Sequence, residues 1–188
     1  MSVNTKTGYI PGKMVLPRGS VRWLTVSALF MAMNVVLSMS IFSIPVPGGH
    51  LYFNDAVIDT AAILLDPLAA FLVGGIGAFL GDFFFYPAPM FVSLITHGLQ
   101  AVVVSLISRR LFRQNPAAGS SIAVTIGAVI MVAGYTLGRA FIYSTPEYAV
   151  LKLPFQILQA IVGATISILL VYPMRIGAAF DRIIRHGG

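Results

Sequence analysis

In a sequence of 188 residues that is 57% hydrophobic and only 10% charged, the side chains able to do chemistry stand out because they interrupt apolar runs. Asp82, His97, Arg139 and Lys152 each lie inside or at the edge of such a run. Gln156 and Gln159, three residues apart, share one helix face. A carboxylate, an imidazole, two cations and two amides make a set that could grip a small polar molecule through charge-assisted hydrogen bonds. Catalysis is less well served. Ser93 and His97 are four apart, but no orienting acid or oxyanion donors accompany them. HExxH, GxSxG, paired glutamates and His/Cys metal spacings are missing. The absence of cysteine removes disulfides, thiolate metal sites and thiol nucleophiles. Neither an enzyme nor a metal site is therefore expected, and without a Walker motif this chain does not itself hydrolyse ATP.

The elements that must position these residues are membrane helices. A mean hydropathy of +0.90 fits no water-soluble domain. At roughly 20 apolar residues per crossing, the chain can supply about six spans. Apolar runs occur at 23–44, 55–65, 68–85, 90–107, 122–143 and 151–172. The first is read as a span rather than a signal peptide, because it is long and lacks a clear cleavage site. The net charge of +6 reports topology, since basic residues flank the runs instead of forming a nucleic-acid patch. Ten of the twelve Lys and Arg residues fall in three clusters: Lys6, Lys13, Arg18 and Arg22; Arg109, Arg110 and Arg113; Arg175, Arg182 and Arg185. If all three clusters are cytoplasmic, the number of crossings between Arg22 and Arg109 is even. The runs at 55–65 and 68–85, parted only by Asp66-Pro67, then cross together or not at all. A re-entrant loop is the competing reading. The expectation is an all-α integral membrane protein: a six-transmembrane-helix bundle with N and C termini cytoplasmic, forming one membrane domain over residues 1–188.

On that topology Asp82, His97, Arg139, Lys152, Gln156 and Gln159 all fall in the outer half of the bilayer, where each is costly unless paired or functional. The inner half is nearly devoid of such groups. A polar cavity open outside and closed inside suits a receptor better than a through-pore. The competing structural reading pairs Asp82 with Arg139 and gives His97 and the glutamines to interhelical hydrogen bonds. Lys152 can also reach the interface on its long stem. Tyr86 belongs to a set of aromatic residues at the outer ends that would form an interfacial belt or stack on a planar ligand. His50 lies on a candidate lid, the Pro- and Gly-rich loop from Pro45 to Asn54. Asp55 reads as a first-turn acid of the second helix and Asp59 as a group facing the cavity. Small residues four apart, at Ala28 and Ala32, Gly77 and Gly81, and Gly134 and Gly138, mark close helix approaches.

The stretch Gly49-His50-Leu51-Tyr52-Phe53-Asn54-Asp55-Ala56-Val57, then Leu65-Asp66-Pro67-Leu68-Ala69-Ala70, then Gly74-Gly75-Ile76-Gly77 through Gly81-Asp82, resembles the substrate-binding (S) component of energy-coupling factor (ECF) vitamin transporters. The order of these pieces carries the resemblance, which covers roughly Leu24 to Tyr172 in hydropathy. It implies a six-helix protein of the prokaryotic plasma membrane that captures a water-soluble vitamin near the outer surface. It also implies a transmembrane coupling subunit and two ATPase subunits as partners, so that ATP is hydrolysed outside this chain and no cofactor resides in it. Ala28 and Ala32 match the family's small-residue docking motif. Within the family the pattern looks most like members handling pantothenate, pyridoxine or hydroxymethylpyrimidine. Arg139 and Lys152 would suit a carboxylate, whereas a carboxylate-free ring would lean on Asp82, His97 and aromatic residues. The alternative class is a stand-alone secondary transporter or channel for a small polar solute, which needs a polar path through the inner half as well.

Overall fold

Helix starts in this chain are set by short polar residues followed by apolar sequence. Ser20 accepts from the Trp23 amide, and Asp66, Asn115 and Thr145 accept from the amides of Ala69, Ala118 and Tyr148, each with proline just inside the first turn. The computed structural model describes residues 9–11, 16–111 and 113–186. Lys6 and Lys13 lie outside the described residues, as does the side chain of Arg185.

The helices are α1 (Val21–Leu37), α2 (Asn54–Leu64), α3 (Pro67–Phe85), α4 (Met90–Arg110), α5 (Pro116–Tyr143), α6 (Pro146–Val171) and α7 (Ile176–His186). Helices α3 to α6 are each long and apolar enough to cross a bilayer, and α1 is a shorter apolar helix of 17 residues. Between α1 and α2 lie a 3-10 turn (Ser40–Phe42) and an antiparallel hairpin of β1 (Ile44–Val46) and β2 (Gly49–Leu51). The first apolar run thus leaves the helix at Leu37, where Ser38 turns its hydroxyl back onto Asn34 O, and its remainder becomes strand.

All eleven residues of α2 are buried. It is the central helix, packed against α1, α3, α4 and α6, which explains how so short an apolar run survives: its neighbours are protein. Ile58, Ala61, Ala62, Ile63 and Leu64 of its lower half join Val73, Ala101, Val104 and Ala123 in a continuous apolar core. Helices α1 and α3 meet closely, because a Cβ on Gly81 would stand 2.5 Å from Ser38 Oγ. A π-turn at Leu72–Ile76 coincides with that seam, and Val73 O accepts from Asn34 Nδ2 at 2.7 Å.

The end bearing Arg18, Arg22, Arg109 and Arg110 is closed by hydrogen bonds to the α2–α3 turn. Asp66 receives Trp23 Nε1 at 2.8 Å and Arg18 Nε at 2.6 Å, Tyr9 donates to Ile63 O at 3.3 Å, and Ser105 donates to Leu65 O at 2.8 Å. The amphipathic α7 lays Phe180 and Ile184 against the same core. Burial alone would raise the Asp66 pKa, but the bonds from Trp23 and Arg18 outweigh it and hold the carboxyl below its ordinary value. Its contribution is therefore complete above about pH 4 and fades as pH falls through the lower folded-state value. Asp66→Ala is expected to cost about 2–4 kcal/mol, by loss of a helix cap and of two bonds to a carboxylate. The expected readout is a lower unfolding midpoint in detergent, with the difference from wild type shrinking as the medium is acidified below pH 4.

Candidate functional site

At the opposite end a cavity of about 830 Å³, its mouth included, opens between the hairpin and helices α3 to α6. Asp82, His97, Arg139, Lys152, Gln156, Gln159, Tyr86 and His50 all border it. Helices running in alternate directions therefore bring seven of these residues to one place, the hairpin adds His50, and Ser38 is the contribution of the α1 end. Ala28 and Ala32 lie elsewhere, on an exposed face of α1.

The two cations are engaged with the hairpin. Arg139 donates from Nη1 to Gly48 O at 2.8 Å, and Lys152 Nζ to His50 O at 2.5 Å. Gln159 adds a third tie, accepting the Tyr52 amide at 3.0 Å. The turn that presents these carbonyls needs glycine, with φ +79° at Gly48 and +142° at Gly49. A Cβ at Gly48 would also stand 3.1 Å from Lys152 Cβ. The hairpin is thus drawn onto α5 and α6 as a cover.

Arg139 sits at the start of a π-turn, Arg139–Tyr143, and its guanidinium lies 5.4 Å from the Tyr143 ring centre. Asp82 does not pair with Arg139. It accepts instead from Ser93, whose hydroxyl receives Tyr135 Oη at 2.5 Å. The Tyr135 ring meets the His97 ring edge-on, centres 5.1 Å apart. Gln156 donates to Val132 O at 2.9 Å. Tyr52, beyond the hairpin, has its pKa pushed up to about 12 by burial and by nearby Asp82 and Tyr86, so it stays a neutral phenol.

Three buried polar atoms at this cavity have no hydrogen-bond partner among the described residues: Asn54 Oδ1, Arg139 Nε and Tyr143 Oη. Buried polar atoms are ordinarily satisfied, so their gathering here points to a polar ligand. Among the described residues, none that lines this cavity belongs to the arginine-rich end, and Ile58, Ala61, Ala62, Ile63 and Val104 of the intervening helix segments are fully buried.

Below the cavity, Asp55 and Asp59 are each 1% exposed. Asp55 begins α2 as a first-turn acid, yet its carboxylate is engaged by Gln159 Nε2 at 2.7 Å and Gln100 Nε2 at 3.4 Å. Asp59 takes Gln100 Nε2 at 3.0 Å and does not border the cavity. Sequence reasoning did not single out Gln100 and gave Asn54 no part in the site, while Tyr135 and Tyr143 stood only within the wider set of outer-end aromatic residues that could stack on a ligand. Gln100 carried the same signal as Gln156, an amide inside an apolar run one turn from an ionisable residue.

The sequence model of the family described as "ECF-type riboflavin transporter, S component" matches residues 18–175 of this chain. The chain is also similar to a protein of Pyrococcus woesei described as "Uncharacterized protein in gap 3'region". The two are 29% identical over 135 residues, covering 71% of this chain and 88% of that protein.

Proposed function

The chain belongs to the ECF-type riboflavin transporter S component family, and from that premise we propose that its cavity captures a flat-ringed, carboxylate-free vitamin from outside the cell. As a member of that family it is a multi-pass membrane component of a vitamin transporter, and not an enzyme. The supporting observation is the cavity itself: enclosed at one end, covered by a tied hairpin, lined by tyrosines, and holding unpartnered polar atoms. Riboflavin, named in the family's description, is the first choice, followed by smaller rings of the pyridoxine or hydroxymethylpyrimidine kind. Pantothenate ranks behind these, because its carboxylate would compete with the hairpin carbonyls for Arg139 Nη1 and Lys152 Nζ and find Arg139 Nε the one buried cationic donor left open among the described residues.

On this reading α1 and α2 are the first two of six crossings, the arginine-rich end and both termini face the cytoplasm, and the cavity opens outward. Delivery falls to a transmembrane coupling subunit and two ATPase subunits, which hydrolyse ATP on behalf of this chain. A self-sufficient transporter or channel would need a polar route past the apolar layer of Ala61, Ala62, Ile63 and Leu64.

Purified full-length protein in detergent, titrated with riboflavin, is expected to quench the flavin's fluorescence at one molecule per chain, through stacking on tyrosine. Tight binding of pyridoxine or hydroxymethylpyrimidine without riboflavin would move the substrate and keep the function. Tight binding of pantothenate would overturn the carboxylate-free assignment, and failure of every water-soluble vitamin would overturn capture itself.

A further inference from the structure

We propose that Asp55, Asp59 and Gln100, none of which borders the cavity, fix the tautomer of His97 so that it meets the ligand with an unprotonated Nε2. That makes position 97 an acceptor, selective for a vitamin that presents an N–H or O–H there. The inference rests on the cavity being the vitamin site.

The chain of reasoning starts at the carboxylates. Asp55 and Asp59 stand one turn apart on the buried α2, and each carboxyl group, with or without a proton on its other oxygen, keeps one oxygen that only accepts hydrogen bonds. One terminal atom of Gln100 lies 3.0 Å from Asp59 Oδ1 and 3.4 Å from Asp55 Oδ1. Facing two acceptors, that atom is the amide nitrogen. The orientation therefore follows from Gln100's partners, although the two ends of an amide look alike. Its oxygen then faces His97 Nδ1 at 2.8 Å. An amide oxygen cannot donate, so the imidazole proton sits on Nδ1.

Asp55 reinforces the choice, with Oδ1 3.7 Å from the same ring nitrogen. It is itself held in place, because Gln159 donates to its other oxygen at 2.7 Å. With Nδ1 turned to Gln100, the nitrogen left for a ligand is Nε2, for which no bond is found among the described residues. Three residues behind the cavity wall thereby decide which kind of group the wall shows.

The test reads the proton directly. Full-length protein with 15N-labelled histidine, ligand-free in detergent, is examined by long-range proton–nitrogen correlation, with His97 assigned by its loss in His97→Gln. A pyrrole-type Nδ1 and a pyridine-type Nε2 are expected. A proton on Nε2, or on both nitrogens at neutral pH, would overturn the proposal from the wild-type spectrum alone. In Asp59→Asn the new amide can donate to Gln100 and free it to turn, so mixed tautomers are expected; an unchanged spectrum in that folded variant would exclude Asp59 from the relay. Gln100→Leu is expected to weaken riboflavin at least roughly tenfold and to shift the proton toward Nε2. If riboflavin fails to bind the wild type, the vitamin assignment falls while the tautomer result stands on its own.

Discussion

With Ala28 and Ala32 both replaced by tryptophan, the protein is expected to keep its vitamin and lose its partners. These alanines lie one turn apart on an exposed face of α1, beside the exposed Leu24, Leu29 and Val36. Small residues at this spacing let a second helix approach closely in lipid, where packing rather than water exclusion drives association. Two indole rings would hold that helix off. Overpacking of a close contact costs about 1–3 kcal/mol per site, so two sites would lower complex formation by a factor on the order of a hundred or more. The cavity should not notice, since Ser38, past the end of α1, is the nearest residue of that segment to border it. Co-purification with coupling and ATPase subunits, set beside riboflavin titration of the same preparation, checks the outcome. Retained complex would place the docking face elsewhere, and lost titration would show that the variant had damaged the fold.

Gln159→Leu is expected to produce the largest loss of ligand affinity. This one amide joins two layers: its oxygen receives the Tyr52 amide at the foot of the hairpin, and its nitrogen donates to Asp55. Leucine nearly preserves the volume and removes both bonds. The Tyr52 amide loses its partner, and the buried Asp55 carboxylate keeps only its longer contacts, with Gln100 at 3.4 Å and His97 at 3.7 Å. Leaving a buried charged group underpaired costs about 3–5 kcal/mol. Part of that will appear as lower thermal stability and part as a loosened cover, so riboflavin affinity should fall roughly a hundredfold or more. Gln159→Glu is the informative companion. It keeps the acceptor for Tyr52 but sets a second carboxylate against Asp55, so it should also fail, whereas a structural role confined to the hairpin bond would spare it.

Much of this arrangement was legible in the sequence, for a physical reason. Ionisable and amide groups are so costly in hydrocarbon that Asp82, His97, Arg139, Lys152, Gln156 and Gln159 were visible without any motif. Comparing their depths was enough to place them at one end, and the structure gathers them around one cavity. The helix boundaries were harder. Residues 41–46 are as apolar as a helix end, and short apolar runs do not distinguish strand from helix; the turn at Gly48, drawn to Arg139 and Lys152, decides the matter. Asp59 was expected to face the cavity because helical spacing gives direction but not depth. Gln100 from α4 meets it first. The expected alternative of an Asp82–Arg139 pair gave way to two separate attachments, Ser93 for one and the hairpin for the other. Such choices depend on which of several polar neighbours is nearest, and only the packed helices settle that.

Native mass spectrometry of the full-length protein, isolated without partner subunits from cells supplied with riboflavin, tests vitamin capture most directly. The prediction is a single adduct of one vitamin mass per chain, greatly reduced in Gln159→Leu and undiminished in the Ala28→Trp, Ala32→Trp double variant. A chain that is ligand-free in every preparation, and takes up no vitamin when riboflavin and smaller ring vitamins are added, would contradict it.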